Sequence, residues 1–393
     1  MTIIADSVIK TVSFDFDPGL TSEFIDFSQK FLRNYPYVMI PFAKGEKELL
    51  HAENPFFSYG EMKRFLAYNA HGEVIGRIAA IINPRITFTQ GKLGLIGFFD
   101  VIEEEEAGLK LLDSAVKWLR ENDCTHVWGP MNFSVWYGYR FAVDNFDQPA
   151  YFGEPKNPPH YPDFFLKYGF KSLKTWKTGY YNKKDLNEEF YKNDEQLKMF
   201  LEQGYLIERF DMIENTEQLR ACKKIIDQTF TGFLGYYQLT EEEFKKIFQA
   251  VLHLADHRLS MLLRHEEEYV GFIIAVPNMA SAIQTIKERM NFWSIIRYRL
   301  KLRKIDEIMF LYIAVNNKAI KAAIKEGRLH YGKPLSITKV ITSLCYQEIL
   351  SCRKYKTLIL PLMLSGSLST KIMKDQVNRE RNYELYELLI PRV

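Results

Sequence analysis

The chain has 393 residues, 47 % hydrophobic, 26 % charged and 15 % aromatic, with a formal net charge of +3. That length exceeds one ordinary core and implies two or three domains, with a normal globular balance of residue types. So small a net charge excludes a general polyanion binder: no DNA partner is expected, and any electrostatic role must be local. Cys124, Cys222, Cys345 and Cys352 show no CxxC pair and no metal-ligand spacing. Reduced thiols, no metal and a cytoplasmic setting are the expectation, since the N-terminus lacks a signal-peptide plan and no apolar run matches a bilayer span.

Val12 to Phe16 reads as a first strand and Pro18-Gly19 as a turn, with Thr21 capping a helix that carries Phe24, Phe27 and Phe31 on one side. Phe65 to Tyr68 and Val74 to Ile82 form a hairpin around Asn69-Ala70-His71-Gly72. Leu93 to Val101 is apolar almost throughout, which predicts a strand buried on both faces. An acidic turn, Glu103 to Glu106, leads into a helix with Leu109, Leu112, Val116 and Leu119 on one face, then a strand at His126 to Gly129. Strand, helix and strand with short joints is a crossover between parallel strands. An aromatic, Pro-rich stretch follows, with a short helix from Asp163 to Tyr168 that Gly169 ends. Phe170 to Tyr181 should supply closing strands, and the charged run from Asn182 to Gln203 marks a domain boundary.

The second half repeats the plan. It has a strand at Leu206 to Ile213, a helix from Thr216 to Phe230, and a helix from Thr240 whose Glu243 has capping-box spacing. A hairpin, Leu259 to Leu263 with Tyr269 to Val276, precedes a central strand at Ile308 to Val315 and a crossover helix at Ser336 to Leu350. Thr357 to Leu362, a helix near Thr370 to Val377, and Tyr383 to Ile390 complete it. The order matches the first half, which predicts a tandem duplication of one mixed α/β unit, divided at 1–187 and 188–393.

The element order, the run Tyr161-Pro-Asp-Phe-Phe-Leu-Lys-Tyr168-Gly169-Phe170-Lys171, and the phrases Gly76-Arg-Ile-Ala-Ala-Ile-Ile-Asn83 and Val127-Trp-Gly-Pro-Met-Asn132 resemble the tandem GNAT-like acyl-CoA N-acyltransferase superfamily. The resemblance implies an α/β, mixed-sheet fold of two GNAT-like domains. It also implies acyl transfer from acyl-CoA or acetyl-CoA to a small-molecule or peptide amine. In that family a loop and helix start after the central strand point N–H groups at the CoA pyrophosphate. Here the first-half loop, Ile102 to Gly108, holds four glutamates and repels phosphate. The second half offers Arg328, Gly332, Lys333, Leu335 and Ser336, with Pro334 lacking the usual N–H; an ordinary Gly-Lys-Pro turn is the competing reading. Strand N–H groups near Ile313, Ala314 and Val315 would polarise the thioester.

The family often uses a tyrosine near the last helix to protonate the departing thiolate, which makes Tyr168, Tyr383 and Tyr386 candidates. His160, in a loop, is a further one; His126, in a strand, reads as a satisfied core histidine. The aromatic loops from Trp136 to Tyr161 would help form the acceptor pocket. The basic aromatic stretch Arg289 to Lys304 reads as a helix buried on one side and solvated on the other. Contact with a membrane surface, RNA or the CoA 3′-phosphate is the alternative. An aminoacyl-tRNA-dependent transferase and a non-catalytic binding protein are the rival functions.

Overall fold

The computed structural model describes residues 9–186, 194–210, 216–287, 291–316, 337–366 and 377–391. In the first half, β1 (Lys10–Phe14), α1 (Pro18–Phe31) and α2 (Ala43–Leu50) precede β2 (Glu61–Tyr68), β3 (Val74–Ile82) and β4 (Leu93–Val101). Then come α3 (Glu105–Glu121), β5 (His126–Gly129), β6 (Phe141–Ala142), α4 (His160–Tyr168) and β7 (Lys171–Asn182). The second half holds α5 (Asp194–Glu202), β8 (Tyr205–Arg209), α6 (Thr216–Thr229), α7 (Glu241–Leu252), β9 (Met261–His265) and β10 (Glu268–Pro277). It ends with α8 (Ala280–Lys287), α9 (Phe292–Arg303), β11 (Glu307–Val315), α10 (Ile337–Ser351), β12 (Thr357–Leu364) and β13 (Arg379–Leu389).

Local chemistry sets most of these boundaries. Helix α1 starts earlier than expected because Asp17, not Thr21, is its cap: Asp17 Oδ1 accepts the Leu20 N–H at 2.8 Å, and Pro18 follows in the first turn. The Thr21 hydroxyl instead accepts a bond from buried Arg64 at 3.0 Å. The capping box of α7 is present, with Glu243 N–H on Thr240 Oγ1 at 3.2 Å and Thr240 N–H on Glu243 Oε2 at 2.7 Å. Gly169, at φ 112°, ends α4. The stretch after it is one long strand, β7, rather than several. The helix expected near Thr370 to Val377 and the division at 187/188 fall on or beside residues outside the described ones.

One mixed sheet runs through the molecule in the order β1-β2-β3-β4-β5-β13-β7-β12-β11-β10-β9-β8, with β6 beside β13. Each half contributes a five-strand block that is antiparallel except at its fourth joint, where β4 and β5, and β11 and β12, run parallel. The centre was not foreseen. Strand β13, last in the chain, pairs with β5 of the first half. Strand β7, last of the first half, pairs with β12 of the second, and β7 and β13 lie side by side. Each half thus completes its sheet with the other's final strand. Trp128 Nε1 donates to Glu387 Oε1 at 2.9 Å across this joint.

Helix α3 covers β2 and β3 with Leu111, Leu112, Ala115, Val116 and Leu119, all buried. Gly108 lets α3 meet α4: a Cβ there would lie 2.4 Å from the Phe164 ring. The sheet core is aromatic, as in the cluster of Phe99, Phe141, Tyr161 and Phe165, whose rings meet edge-on at 5.0–5.7 Å.

Candidate active site

Parallel strands that diverge leave a gap, and both halves have one. β4 and β5 pair only at Leu93–Leu95 with His126–Trp128. The chain plugs the space that opens above: Asn132 Oδ1 accepts the Phe98 N–H at 2.8 Å, and the Met131 N–H donates to Ile96 O at 2.7 Å. Gly97 permits this packing, since a Cβ there would sit 2.6 Å from Asn132 Oδ1 and 2.7 Å from Met131 O.

In the second half, β11 and β12 pair only at Glu307–Met309 with Thr357–Ile359. Beyond that point β12 bulges towards β7: Leu362 takes φ 52° and donates its N–H to Thr178 Oγ1 at 2.9 Å. The diverging edges, Phe310 to Ile313 on one side and Leu360 to Leu364 on the other, line a cavity of about 1120 Å³. That exceeds the roughly 300–1,000 Å³ usual for small-molecule sites. Its other walls come from the loop after α1 (Val38, Met39), the aromatic loop (Trp136, Tyr137, Tyr139) and α6 with its following turn (Ile226, Phe230, Phe233). The site is built from both halves and is mostly apolar, with two buried polar clusters on its wall.

The first cluster centres on Arg77 of β3. Its Nε and Nη2 each lie 2.7 Å from Asp100 Oδ2, and Nη1 lies 2.8 Å from Glu46 Oε1 and 3.0 Å from Phe24 O. Tyr161 OH donates to Asp100 Oδ1 at 3.1 Å and accepts the Val101 N–H at 3.2 Å. Glu46 Oε2 is buried with no hydrogen-bond partner. Burial pushes the Glu46 carboxyl up, against the pull of Arg77.

The second cluster surrounds Arg140, which is buried at φ 66° between the rings of Tyr139 (3.7 Å) and Trp176 (4.6 Å), with Nε and Nη1 unbonded. Burial lowers its pKa. Glu154 accepts hydrogen bonds from Thr178 and Tyr383, and burial raises its carboxyl while those bonds and the guanidiniums of Arg381 and Arg140 oppose the rise. Lys156, on the same wall, is brought down to about 8, chiefly by burial and then by Arg381.

The sequence candidates are scattered. Ile313 and Val315 line the cavity, and Ala314 is buried between them. Arg328, Gly332, Lys333, Leu335 and Ser336 lie outside the described residues. Tyr383 is fully buried behind Glu154 and meets the cavity only through that carboxyl, while burial, with Glu154 beside it, holds its phenol well above its ordinary pKa. His160 is a core residue whose Nε2 lies 2.9 Å from Val101 O. Tyr168 is turned to Asp113, its OH donating at 3.3 Å, and neither residue lines the cavity. Tyr386 is buried against Phe141 and Phe165. In the acidic turn, Glu105 pairs with Lys167, and Glu106 with Lys110 at 2.7 Å.

Glu46, Arg77, Asp100, Arg140, Glu154 and Lys156 were not singled out from the sequence. Two of them left a trace there: Arg77 and Asp100 are lone charges within otherwise apolar strand runs, which predicts a buried pair. Arg140, Glu154 and Lys156 stand in irregular segments with no period to read.

No family model matches the chain. Among curated proteins it is 26 % identical over 281 residues to the bacterial ceramide synthase of Caulobacter vibrioides, spanning 67 % of this chain and 69 % of that one. Among solved structures it resembles a tandem GNAT protein from the clavulanic acid biosynthesis pathway, at 10 % identity and a TM-score of 0.51, over 97 % of this chain and 98 % of that one. It also matches the GCN5-related glucosamine N-acetyltransferase region of a fungal multi-domain β-N-acetylglucosaminidase, at 13 % identity and a TM-score of 0.52, over 98 % of this chain and 38 % of the other. The fold is that of tandem GNAT proteins.

Proposed function

We propose that the chain is an N-acyltransferase that moves a long acyl group from acyl-CoA to the amine of an amphipathic, long-chain acceptor. The observation that carries this reading is the cavity at the β11/β12 gap, which is mostly apolar and, at about 1120 Å³, has room for a long acyl chain beside the thioester. A ceramide is an amide of a long-chain base, so the similarity to a ceramide synthase supports the same substrate class.

The thioester would lie along β11, its carbonyl near Ile313 to Val315 and its acyl chain in the apolar cavity. The neutral amine attacks the carbonyl carbon, the tetrahedral intermediate collapses, and the carbon–sulfur bond breaks. The proton lost by the amine ends on sulfur, so amide and free CoA thiol are the products. A donor aimed at the carbonyl oxygen is worth most in a dry site, and Arg140, a residue of the cavity wall, would supply one if its buried guanidinium turned towards the thioester. Glu46, which lines the cavity, would take the amine proton. Glu154, backed by Tyr383, would return one to the thiolate. The pyrophosphate would fall to the second half, at Gly332 to Ser336 beside Lys333 and Arg328, since the first-half gap is plugged and its turn is acidic.

Purified protein incubated with palmitoyl-CoA and sphinganine should release CoA thiol and give the amide mass, faster than with acetyl-CoA. Absence of CoA binding and release with either thioester would overturn the reading and leave a non-catalytic binding protein.

A further inference from the structure

Helix α9 is apolar on two opposite faces. Tyr298 and Leu302 turn inward with the α8–α9 hairpin, and Lys301 Nζ reaches the Ser281 carbonyl at 3.0 Å. On the outer side Phe292, Ile296 and Leu300 follow one another at i, i+4 and i+8, which sets them in one line, with Trp293 alongside. Phe292 and Trp293 are 70 % and 69 % exposed, and Leu300 is 52 % exposed. On the helical wheel Arg299 lies on one side of this line and Arg297 and Lys304 on the other, with Arg303 between Phe292 and Ile296. No Asp or Glu occurs from Asn291 to Ile305, and among the described residues no carboxylate pairs with these cations. A solvated helix face has no use for a Phe, a Trp and a Leu in the open. An interfacial one does: apolar side chains enter the acyl region while flanking cations meet lipid phosphates.

The hairpin also touches the cavity rim. Gln284 of α8 donates to Pro36 O at 3.4 Å, and the loop that follows supplies Val38, Met39, Pro41 and Phe42 to the cavity wall. Tyr37 and Phe42 on that loop are 39 % and 51 % exposed.

We propose that the outer face of α9 docks the protein on an anionic lipid bilayer, with Phe292, Trp293 and Leu300 inserted and the flanking arginines on headgroup phosphates. A surface-bound protein would draw a long-chain lipid from the bilayer beside the rim loop. The docking goes beyond the acyl-transfer reading and stands without it.

The test is co-sedimentation of the full chain with vesicles of phosphatidylglycerol and phosphatidylcholine, with no thioester or amine present. Its failure would therefore leave the acyl-transfer reading standing, and failure of the turnover assay would leave the docking standing. Binding should exceed that to pure phosphatidylcholine and fall with salt. The pair Arg299→Glu and Arg303→Glu should weaken it on the order of tenfold or more, and so should the pair Phe292→Ser and Trp293→Ser. All four positions are exposed, and unchanged circular dichroism of the variants excludes misfolding. Absence of vesicle binding, or binding untouched by both pairs, would overturn the proposal. So would tighter binding to single-stranded RNA that only the charge pair removes, or a dimer that only the Phe/Trp pair dissolves, which would assign the face to RNA or to a second copy.

Discussion

Replacing Arg77 by Met would leave Asp100 and Glu46 buried together without a counter-charge. Arg77 is 2 % exposed and holds both carboxylates at 2.7–2.8 Å while bonding Phe24 O. Methionine restores much of the volume but none of the charge, and breaking a buried pair from one side costs about 3–5 kcal/mol. The carboxylates can escape part of this by binding protons, so their folded pKa values would rise above the unfolded ones. A raised folded carboxyl pKa stabilises the native state below it and loses that contribution as pH rises. The deficit of Arg77→Met should therefore be full at pH 8 and shrink towards pH 5. Urea unfolding of both proteins across that range measures it. Adding Glu46→Gln and Asp100→Asn should recover most of the loss at pH 8. A deficit under about 1 kcal/mol, or one that ignores pH, would refute the account of Arg77 as the counter-ion of a buried pair.

Gly108→Ala would gain up to about 1 kcal/mol in helix propensity, but its Cβ would meet the buried Phe164 ring at 2.4 Å. Overpacking costs about 1–3 kcal/mol, so a net loss is expected on melting; a rise in stability would contradict the close α3–α4 approach. Lys156, brought down to about 8 from an ordinary 10.5, is charged in both states below pH 8 at a cost in burial. Between those values the folded form sheds a proton that the unfolded chain keeps, so the native state gains with pH. Any stability advantage of Lys156→Met should accordingly shrink by about 1–3 kcal/mol between pH 7.5 and 10, and a constant gap would refute it. With Ellman's reagent the native chain should show one fast thiol, Cys352, because Cys222 and Cys345 are fully buried and burial pushes Cys124 up to about 11. Two or more fast thiols would contradict that packing.

The block architecture was legible because apolar periodicity is local. Leu93 to Val101 reads as a strand buried on both faces, and all nine of its residues are buried. The Thr240–Glu243 box reads as a helix start because two side chains satisfy two donors within one turn. Helix α2 was missed: its eight residues bury only Glu46 and Leu50, too few to show a period. The exchange of final strands was equally hidden, since Phe170 to Tyr181 looks the same whether it closes its own half or the other. The site was least legible of all. Its charged residues come from β3, β4, α2 and the 139–156 loop, and only the packed sheet brings them to one wall.

The exchanged strands also bear on how the chain is made. Strand β5 is complete at Gly129, yet its neighbour β13 begins at Arg379, 250 positions later. At a synthesis rate of roughly 5–20 residues per second, β5 waits some ~12–50 s for its partner. During that interval the β5 edge offers unpaired N–H and C=O groups, and Trp128 lacks its Glu387 acceptor. A ribosome that stalls anywhere in the second half therefore holds a first half with an open sheet edge, a form that a nearby nascent copy could pair with.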